Sequence, residues 1–179
     1  MLVILCGPTG VGRSSIIDVG RRVRGWRVVP WTTTRAARRH DPDRITCPTD
    51  QFLARRAAGE FFYDFEFFGW RYGIRHSDVR QAVRGDAISV TDLLPSSLIE
   101  LPPVAATVVG VLAESDASLR RRISGAARSE RAARAIQEQH LLRQLVDDPG
   151  GAVDHLVINR FGDPQVTAEA VVRLLEPQG

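Results

Sequence analysis

A glycine-rich segment at residues 7–15 constrains the fold of this chain more than any other part of its sequence. It reads G-P-T-G-V-G-R-S-S and follows an apolar run, Leu2–Cys6, whose composition predicts a buried strand. The residues after it, to about position 24, predict a helix. A strand, a glycine turn and a helix in this order aim backbone N–H groups and a helix N-terminus at one point, which suits a bound anion.

The spacing of this segment matches the phosphate-binding pattern G-x-x-x-x-G-K-[ST], with Arg13 in place of the lysine. In such a loop the basic side chain reaches the β- and γ-phosphates, and the next hydroxyl, here that of Ser14, can ligate Mg²⁺. A plain strand–turn–helix connection with glycines for close packing is the alternative. The residues predicted to bind the phosphates of ATP are Gly7, Thr9, Gly10, Val11, Gly12, Arg13, Ser14 and Ser15.

All 24 basic side chains of the chain are arginines, and none is a lysine. This composition excludes Schiff-base chemistry on lysine and makes Arg13 the cation of the glycine-rich segment. Arginine is a permanent cation and a bidentate phosphate ligand, but it is planar and longer than the compact lysine ammonium. We expect Arg13 to bind phosphates, and its effect on the rate of transfer stays open.

Length, charge and cysteine content narrow the class of protein. The 179 residues suit one globular domain, and a net charge of +3 is too small to indicate nucleic-acid binding. The 2 cysteines make no disulfide framework, which favours the reducing cytoplasm. No apolar stretch approaches the roughly 20 residues that cross a bilayer. We predict a cytoplasmic protein without membrane or nucleic-acid partners, and a homodimer stays open.

Short apolar runs alternate with helical patterns, which predicts an α/β fold with a parallel sheet covered by helices on both faces. Residues 30–48 predict a loop, whereas the aromatic stretch 61–72 predicts an inserted β lobe. The other predicted strands are 26–29, 87–91, 105–112 and 153–158, and the other predicted helices are 50–58, 77–84, 164–175 and two that begin near 116 and 130.

With these features the chain resembles the guanylate kinase family of P-loop phosphotransferases along nearly its full length. The resemblance depends on the order and spacing of short motifs: the glycine-rich segment, T-T-T-R-A-A-R at 32–38, G-E-F at 59–61, Y-G at 72–73, the arginines of 120–138 and V-I-N at 157–159. It implies a P-loop NTPase-type parallel sheet flanked by helices. The implied parts are a core at 1–30 and 76–179, an acceptor-binding β lobe at about 31–75 and a helical lid within about 120–138. It also implies ATP and Mg²⁺ as cofactors and a phosphorylated small molecule as acceptor.

The resemblance assigns roles to positions of this chain. Arg35, Arg38 and Tyr72 correspond to residues that hold the acceptor phosphate. Asp92 corresponds to an acidic residue that meets Mg²⁺, partly through water, and Asn159 to the adenine region. Solvated arginines, a core tyrosine and capping roles for the two polar residues are the alternatives. The implied catalytic residues are Arg13, Arg122, Arg131 and Arg134, and the implied acceptor-binding residues are Thr34, Arg35, Arg38, Arg44, Tyr63, Tyr72 and Asp92.

The chain departs from the family pattern around the acceptor. Trp31 stands where the family has a serine, Arg44 where it has a tyrosine, and Tyr63 where it has the glutamate that reads guanine. Without that carboxylate the N–H donors of guanine lack a partner, at about 1–3 kcal/mol for each buried group. We therefore expect an acceptor other than GMP, with Asp64 or Glu66 of the aromatic stretch as its polar reader.

Three functions stay open from the sequence. The first is an ATP-dependent phosphotransferase acting on a nucleoside monophosphate or an analogue. The second is a sugar-phosphate kinase, because the stretch W-R-Y-G-I at 70–74 also resembles ribose 1,5-bisphosphate phosphokinases, which makes a sugar phosphate the alternative acceptor. The third is a non-catalytic guanylate kinase-like binding module, which Arg13 and the lost base-reading groups favour, while Ser14 and Arg35 argue against it.

Overall fold

The computed structural model describes residues 1–37, 43–123, 128–160 and 164–175. Its strands are β1 (Leu2–Cys6), β2 (Arg27–Val28), β3 (Trp31–Thr33), β4 (Arg44–Thr46), β5 (Phe61–Phe67), β6 (Trp70–Arg75), β7 (Ser89–Leu93), β8 (Ala106–Ala113) and β9 (His155–Asn159). Its helices are α1 (Arg13–Arg24), α2 (Thr49–Ala57), α3 (His76–Arg84), α4 (Pro95–Glu100), α5 (Asp116–Arg122), α6 (Arg128–Asp147) and α7 (Pro164–Leu175).

A five-stranded parallel sheet in the order β2-β7-β1-β8-β9 forms the centre of the molecule. Successive residues of β1 point to opposite faces, and each face has its own apolar core. Val3 and Leu5 pack with one cluster, and Ile4 and Cys6 pack with the other. A strand buried on both faces is therefore apolar throughout, as the run in the sequence indicated. The predicted α/β class with a helix-flanked parallel sheet is confirmed.

A second sheet, in the order β4-β3-β6-β5, carries the long aromatic hairpin β5–β6. Its strands lie between Trp31 and Arg75. The prediction of a loop over 30–48 is wrong in part, because β3 and β4 lie within that range. Each of these strands has three residues, too few to show alternation, and β3 forms by pairing with β4 on one side and β6 on the other.

Buried polar contacts attach the long helix α6 to the central sheet. Gln139 Oε1 accepts from the amide of Ala113 at the end of β8, and its Nε2 donates to Asp116 in the first turn of α5. Glu138 accepts from the amide of Ser96, so it caps the short α4, which the sequence did not predict. Among the described residues no helix is both long and apolar enough to span a membrane.

Candidate active site

The glycine-rich segment lies at the carboxyl end of β1, the central strand of the parallel sheet, and leads into α1. Gly10 and Gly12 have φ values of 83° and 100°, a left-handed conformation that side chains with a Cβ rarely adopt. A Cβ on Gly7 would lie 2.5 Å from the carbonyl oxygen of Val111 on the neighbouring β8. The backbone therefore requires glycine at these positions, and the loop leads into the N-terminus of α1, where the spacing predicts an anion site.

Asn159, at the end of β9, supports this loop from beneath. Its Nδ2 donates to the carbonyl of Val11 at 2.7 Å, and its Oδ1 accepts from Thr167 of α7 at 3.2 Å. A Cβ on Gly12 would lie 2.6 Å from Asn159 Nδ2. Asn159 is only 4% exposed and does not line the cleft described below. The structure thus gives it a bracing contact with the loop, whereas the sequence placed it in the adenine region.

Arg13, the cation of the loop, lies against the end of β7. Its Nη1 donates to the carbonyl of Leu93, and its Nη2 lies 3.7 Å from Asp92 Oδ2. The other carboxylate oxygen of Asp92 accepts from Arg44 Nη2 at 3.2 Å. Asp92 therefore lies between the guanidinium of Arg13, from the glycine-rich segment 7–15 (hereafter the phosphate loop), and that of Arg44, from the second sheet. All three side chains are largely buried.

The pKa of the Asp92 carboxyl reflects opposing effects. Burial alone would raise it, but the charges of Arg44 and Arg13 outweigh burial and hold the pKa below the usual range. Asp92 is therefore a carboxylate at neutral pH. It lines the same cleft as Ser14, so a Mg²⁺ ion bound to phosphate oxygens would find a hydroxyl and a carboxylate there. No group of three or more His, Cys, Asp or Glu able to hold a metal occurs among the described residues.

The phosphate loop and the second sheet face each other across a cleft of about 520 Å³. From the loop it is lined by Thr9, Gly10, Gly12, Arg13 and Ser14. The other lining residues are Trp31, Arg35, Arg44, Phe65, Phe67, Phe68, Trp70, Tyr72, Asp92, Leu94, Arg122 and Arg131. Five of the described lining residues are arginines and one is a carboxylate, so the cleft is suited to a ligand with several negative charges. Gly7, Val11 and Ser15 do not line it.

The acceptor residues predicted around position 35 lie in different places. Arg35 lines the cleft, and its backbone is fixed by Thr33 Oγ1, which accepts from its amide, and by Thr46 Oγ1, which donates to its carbonyl. The hydroxyl of Thr34 accepts from the amide of Arg71, so it joins β3 to the hairpin and does not line the cleft. Arg38 lies outside the described residues.

Six aromatic side chains form the wall opposite the phosphate loop. Phe65 and Tyr72 are paired across the hairpin and stack with centroids 5.2 Å apart, and Trp31 meets Phe65 edge-on at 5.6 Å. The Nε1–H of Trp31 donates to Thr91, so this ring offers the cleft an apolar surface. Phe67, Phe68 and Trp70 complete the wall at the end of the hairpin. The sequence predicted Tyr72 here but not the others individually, because the strand register that unites them is invisible without the turn at residues 68–69.

Tyr63 does not line the cleft, contrary to the prediction that it binds the acceptor. It is 7% exposed, and its hydroxyl donates to Glu100 Oε2 at 3.2 Å. Burial raises the pKa of this phenol to about 12. The predicted polar readers also do not line the cleft: Asp64 pairs with Arg56, and Glu66 pairs with Arg71. Tyr63 keeps the pairing register of Phe65 and lies two residues farther from the hairpin turn.

The three predicted lid arginines have different positions. Arg122 and Arg131 line the cleft, and the guanidinium carbon of Arg131 lies 6.0 Å from the centroid of the Phe68 ring. Arg134 does not line it. Its Nη2 lies 2.8 Å from the buried carboxylate of Glu138 and donates to Ser96 Oγ at 3.3 Å. Residues three apart lie on neighbouring parts of one helix face, so the separation comes from the contacts of Arg134 with Glu138 and Ser96 and not from helical spacing.

Comparison with solved structures identifies the fold class. A guanylate kinase from Anaplasma phagocytophilum superposes with a TM-score of 0.68 and 21% identity, over 98% of this chain and 84% of that chain. A shikimate kinase from Acinetobacter baumannii, in complex with shikimate, gives a TM-score of 0.48 and 12% identity, over 97% of this chain and 92% of that one. No family model matches the chain, and no curated protein matches its sequence. The chain has a guanylate kinase-like P-loop kinase fold, and the resemblance drawn from its motifs is confirmed at the level of fold.

Proposed function

We propose that the protein is an ATP-dependent phosphotransferase that transfers the γ-phosphoryl group to a phosphate-bearing acceptor. The observation that carries the proposal is the single cleft, in which the phosphate loop and an arginine- and aromatic-lined wall face each other across Asp92. A donor at one end and an acceptor at the other would meet in the middle, where the positive charge is concentrated. Such an arrangement lowers the barrier by positioning and charge neutralisation.

The donor end would hold the β- and γ-phosphates on the loop amides and on Arg13. Two nitrogens of Arg13 contact Leu93 and Asp92, and a guanidinium has five N–H donors, so further donors remain for phosphate oxygens. Mg²⁺, when bound through Ser14 and the phosphates and through water to Asp92, would neutralise charge that develops during transfer. Arg122 and Arg131 would add positive charge from the lid side of the cleft.

The acceptor end would hold a phosphate on Arg35 and Arg44, beside Tyr72. The aromatic wall favours a flat ring system, because six rings offer stacking area and Asp92 is the one carboxylate among the described lining residues. Asp92 is already engaged by two arginines, so guanine would lack a carboxylate partner. The acceptor we propose is a nucleoside monophosphate or an analogue other than GMP, rather than a base-free sugar phosphate.

The second candidate is a non-catalytic nucleotide-binding module in the same cleft. The observation that favours it is the position of Arg13, whose guanidinium is held by Asp92 and the carbonyl of Leu93. A cation held in this way would bind phosphates without following the γ-phosphoryl group during transfer. The substitution Arg13→Lys separates the two candidates. Lysine carries a point charge on a flexible stem, so it would not be held by Asp92 and Leu93 in the way that the guanidinium is.

The test is product detection with ATP and Mg²⁺ against AMP, CMP, UMP, GMP and ribose 1,5-bisphosphate, using the wild type and Arg13→Lys. We expect turnover of a base-containing acceptor, with GMP at least tenfold poorer than the best. Turnover with ribose 1,5-bisphosphate alone would assign the sugar-phosphate function. Binding of ATP with no turnover by either protein would establish the binding module and reject the kinase.

A further inference from the structure

The turn of the aromatic hairpin contains an unusual residue. Phe67 pairs with Trp70, so Phe68 and Gly69 form a two-residue connection, and their φ values are 49° and 73°. Two successive positive φ values are typical of a turn built from Asn-Gly or Gly-Gly. Among the described residues Phe68 is the one residue other than glycine with positive φ. A phenylalanine is unfavourable there, because its Cβ crowds the backbone.

The side chain of Phe68 gives the fold little in return. It is 40% exposed, and its ring contacts that of Phe67 edge-on, with centroids 4.6 Å apart. Neither residue belongs to a buried core cluster of the molecule. An exposed ring on a strained backbone is therefore explained neither by the turn nor by packing. Strain of this kind concentrates at sites of function.

The direction of the ring points to its partner. Phe68 lines the cleft, and the guanidinium of Arg131, from the first turns of α6, lies over its face. Arg131 lines the same cleft as Arg13. A groove between the hairpin tip and α6 also contains Phe68, and its other lining residues are Glu66, Phe67, Glu130, Ala133, Arg134 and Gln137. Through Phe68 the second sheet thus contacts α6, the helix that carries Arg131.

We propose that Phe68 is a positioning residue: its ring holds the guanidinium of Arg131 over the cleft, where it meets the phosphates of the ligand. A ring face attracts a cation and also limits its freedom, so the arginine is oriented before the ligand arrives. Asparagine would relieve the backbone but would offer no such surface. The inference rests on the proposed function, since it assigns Arg131 to phosphates bound in that cleft.

The first experiment separates the ring from the backbone. We expect Phe68→Asn to raise Tm by about 2–5 °C, because the turn is relieved. It should also lower kcat/KM about tenfold and weaken MgATP binding about three- to fivefold, because Arg131 is no longer held. Phe68→Leu keeps the strained backbone without a ring, so it should lose activity with no gain in Tm. Phe68→Tyr keeps the ring, so it should have the activity of the wild type.

The second experiment is a double-mutant cycle on the affinity for MgATP, measured by calorimetry. Arg131→Met alone should weaken binding by at least as much as Phe68→Asn, and the double variant should bind no more weakly than Arg131→Met. Arg143→Met, which removes another exposed arginine of α6, should leave the affinity within twofold.

Either of two results would overturn the role of Phe68. One is a Phe68→Asn protein whose activity and affinity stay within twofold of the wild type. The other is a fall of Tm together with activity, which would make the ring structural. A non-additive cycle in a protein that turns over no acceptor would support Phe68 and reject the kinase. An active kinase in which Phe68→Asn changes neither activity nor affinity would support the proposed function and reject the role of Phe68.

Discussion

The two ends of the cleft are built in different ways. At the phosphate loop the contact surface is backbone, fixed by glycines of positive φ and by the hydrogen bond from Asn159. At the hairpin it is a set of six side-chain rings, five of which lie edge-on or stacked against another ring of the set, and the sixth, Trp70, is 43% exposed. A backbone surface can bind a phosphate group whatever the rest of the ligand is, whereas a surface of rings suits a ligand of a particular shape. The end that we propose for the donor is thus generic, whereas the end that we propose for the acceptor is specific to one ligand shape.

The largest effect should come from the donor end. Arg13→Ala removes the cation of the phosphate loop, and we expect kcat/KM to fall about 10²–10³-fold, because charge stabilisation is lost at the reacting phosphoryl group. Steady-state kinetics with the best acceptor measure this. Arg21→Ala is the matched control, since Arg21 is on the same helix but exposed and paired with Asp43. A loss below fivefold in Arg13→Ala would show that the two ends do not divide their work as proposed.

The acceptor end is tested by Arg35→Ala. Loss of a charge-assisted contact to the acceptor phosphate should raise the KM for the acceptor about 10–100-fold. The dissociation constant of MgATP should change less than threefold. Separate titrations of the two ligands give both numbers. Equal weakening of both would mean that Arg35 does not distinguish the ends.

Asp92, between the ends, gives a pH-dependent effect on stability. Its pKa is lowered in the folded state, so its contribution is complete above the unfolded pKa of about 3.9 and is lost as the pH falls through the lower folded value. Asp92→Asn should therefore lower the free energy of unfolding by about 2 kcal/mol at pH 7. Denaturant titrations of both proteins should show this difference shrinking as the pH falls below about 4. A difference that grows as the pH falls would contradict the ion pairs of Asp92.

The smallest effect should come from Tyr63, which lies in the second sheet but not in the cleft. Tyr63→Phe removes one hydrogen bond to Glu100 and should cost about 1 kcal/mol or less of stability. Because the hydroxyl is remote from the ligand, the KM for the acceptor should stay within twofold. A tenfold rise would return Tyr63 to the acceptor site.

The sequence predicted the donor end better than the acceptor end for a physical reason. Glycines, a helix start and a buried strand act within about ten residues, so spacing alone located the loop and placed Arg13 and Ser14 on the cleft. The rings of the hairpin belong together only through strand pairing, and Tyr63 lies outside the cleft although it shares the pairing register of Phe65. The geometry of a short loop depends on neighbouring residues and can be predicted from them, whereas strand register depends on the partner strand and cannot.

The lid illustrates the same limit on a helix. The sequence identified the arginine-rich region and could not say which members face the ligand. Arg131 lines the cleft, whereas Arg134 is held by Glu138, a carboxylate whose burial depends on the docking of α6 against α4. Glu138 follows Arg134 by four residues on the same helix, so the i,i+4 spacing could have indicated this pair, whereas the contact of Glu138 with Ser96 of α4 is tertiary and could not be read from spacing.

The hydrogen bond between Asn159 and Val11 joins residues 148 positions apart, and it has a consequence for synthesis of the chain. The loop leaves the ribosome well before Asn159, which braces it and is itself held by Thr167. A growing chain therefore carries an unbraced loop until β9 and α7 have been made, because contacts so distant in sequence form late. We expect that a nascent chain lacking α7 does not yet retain ATP at the proposed site.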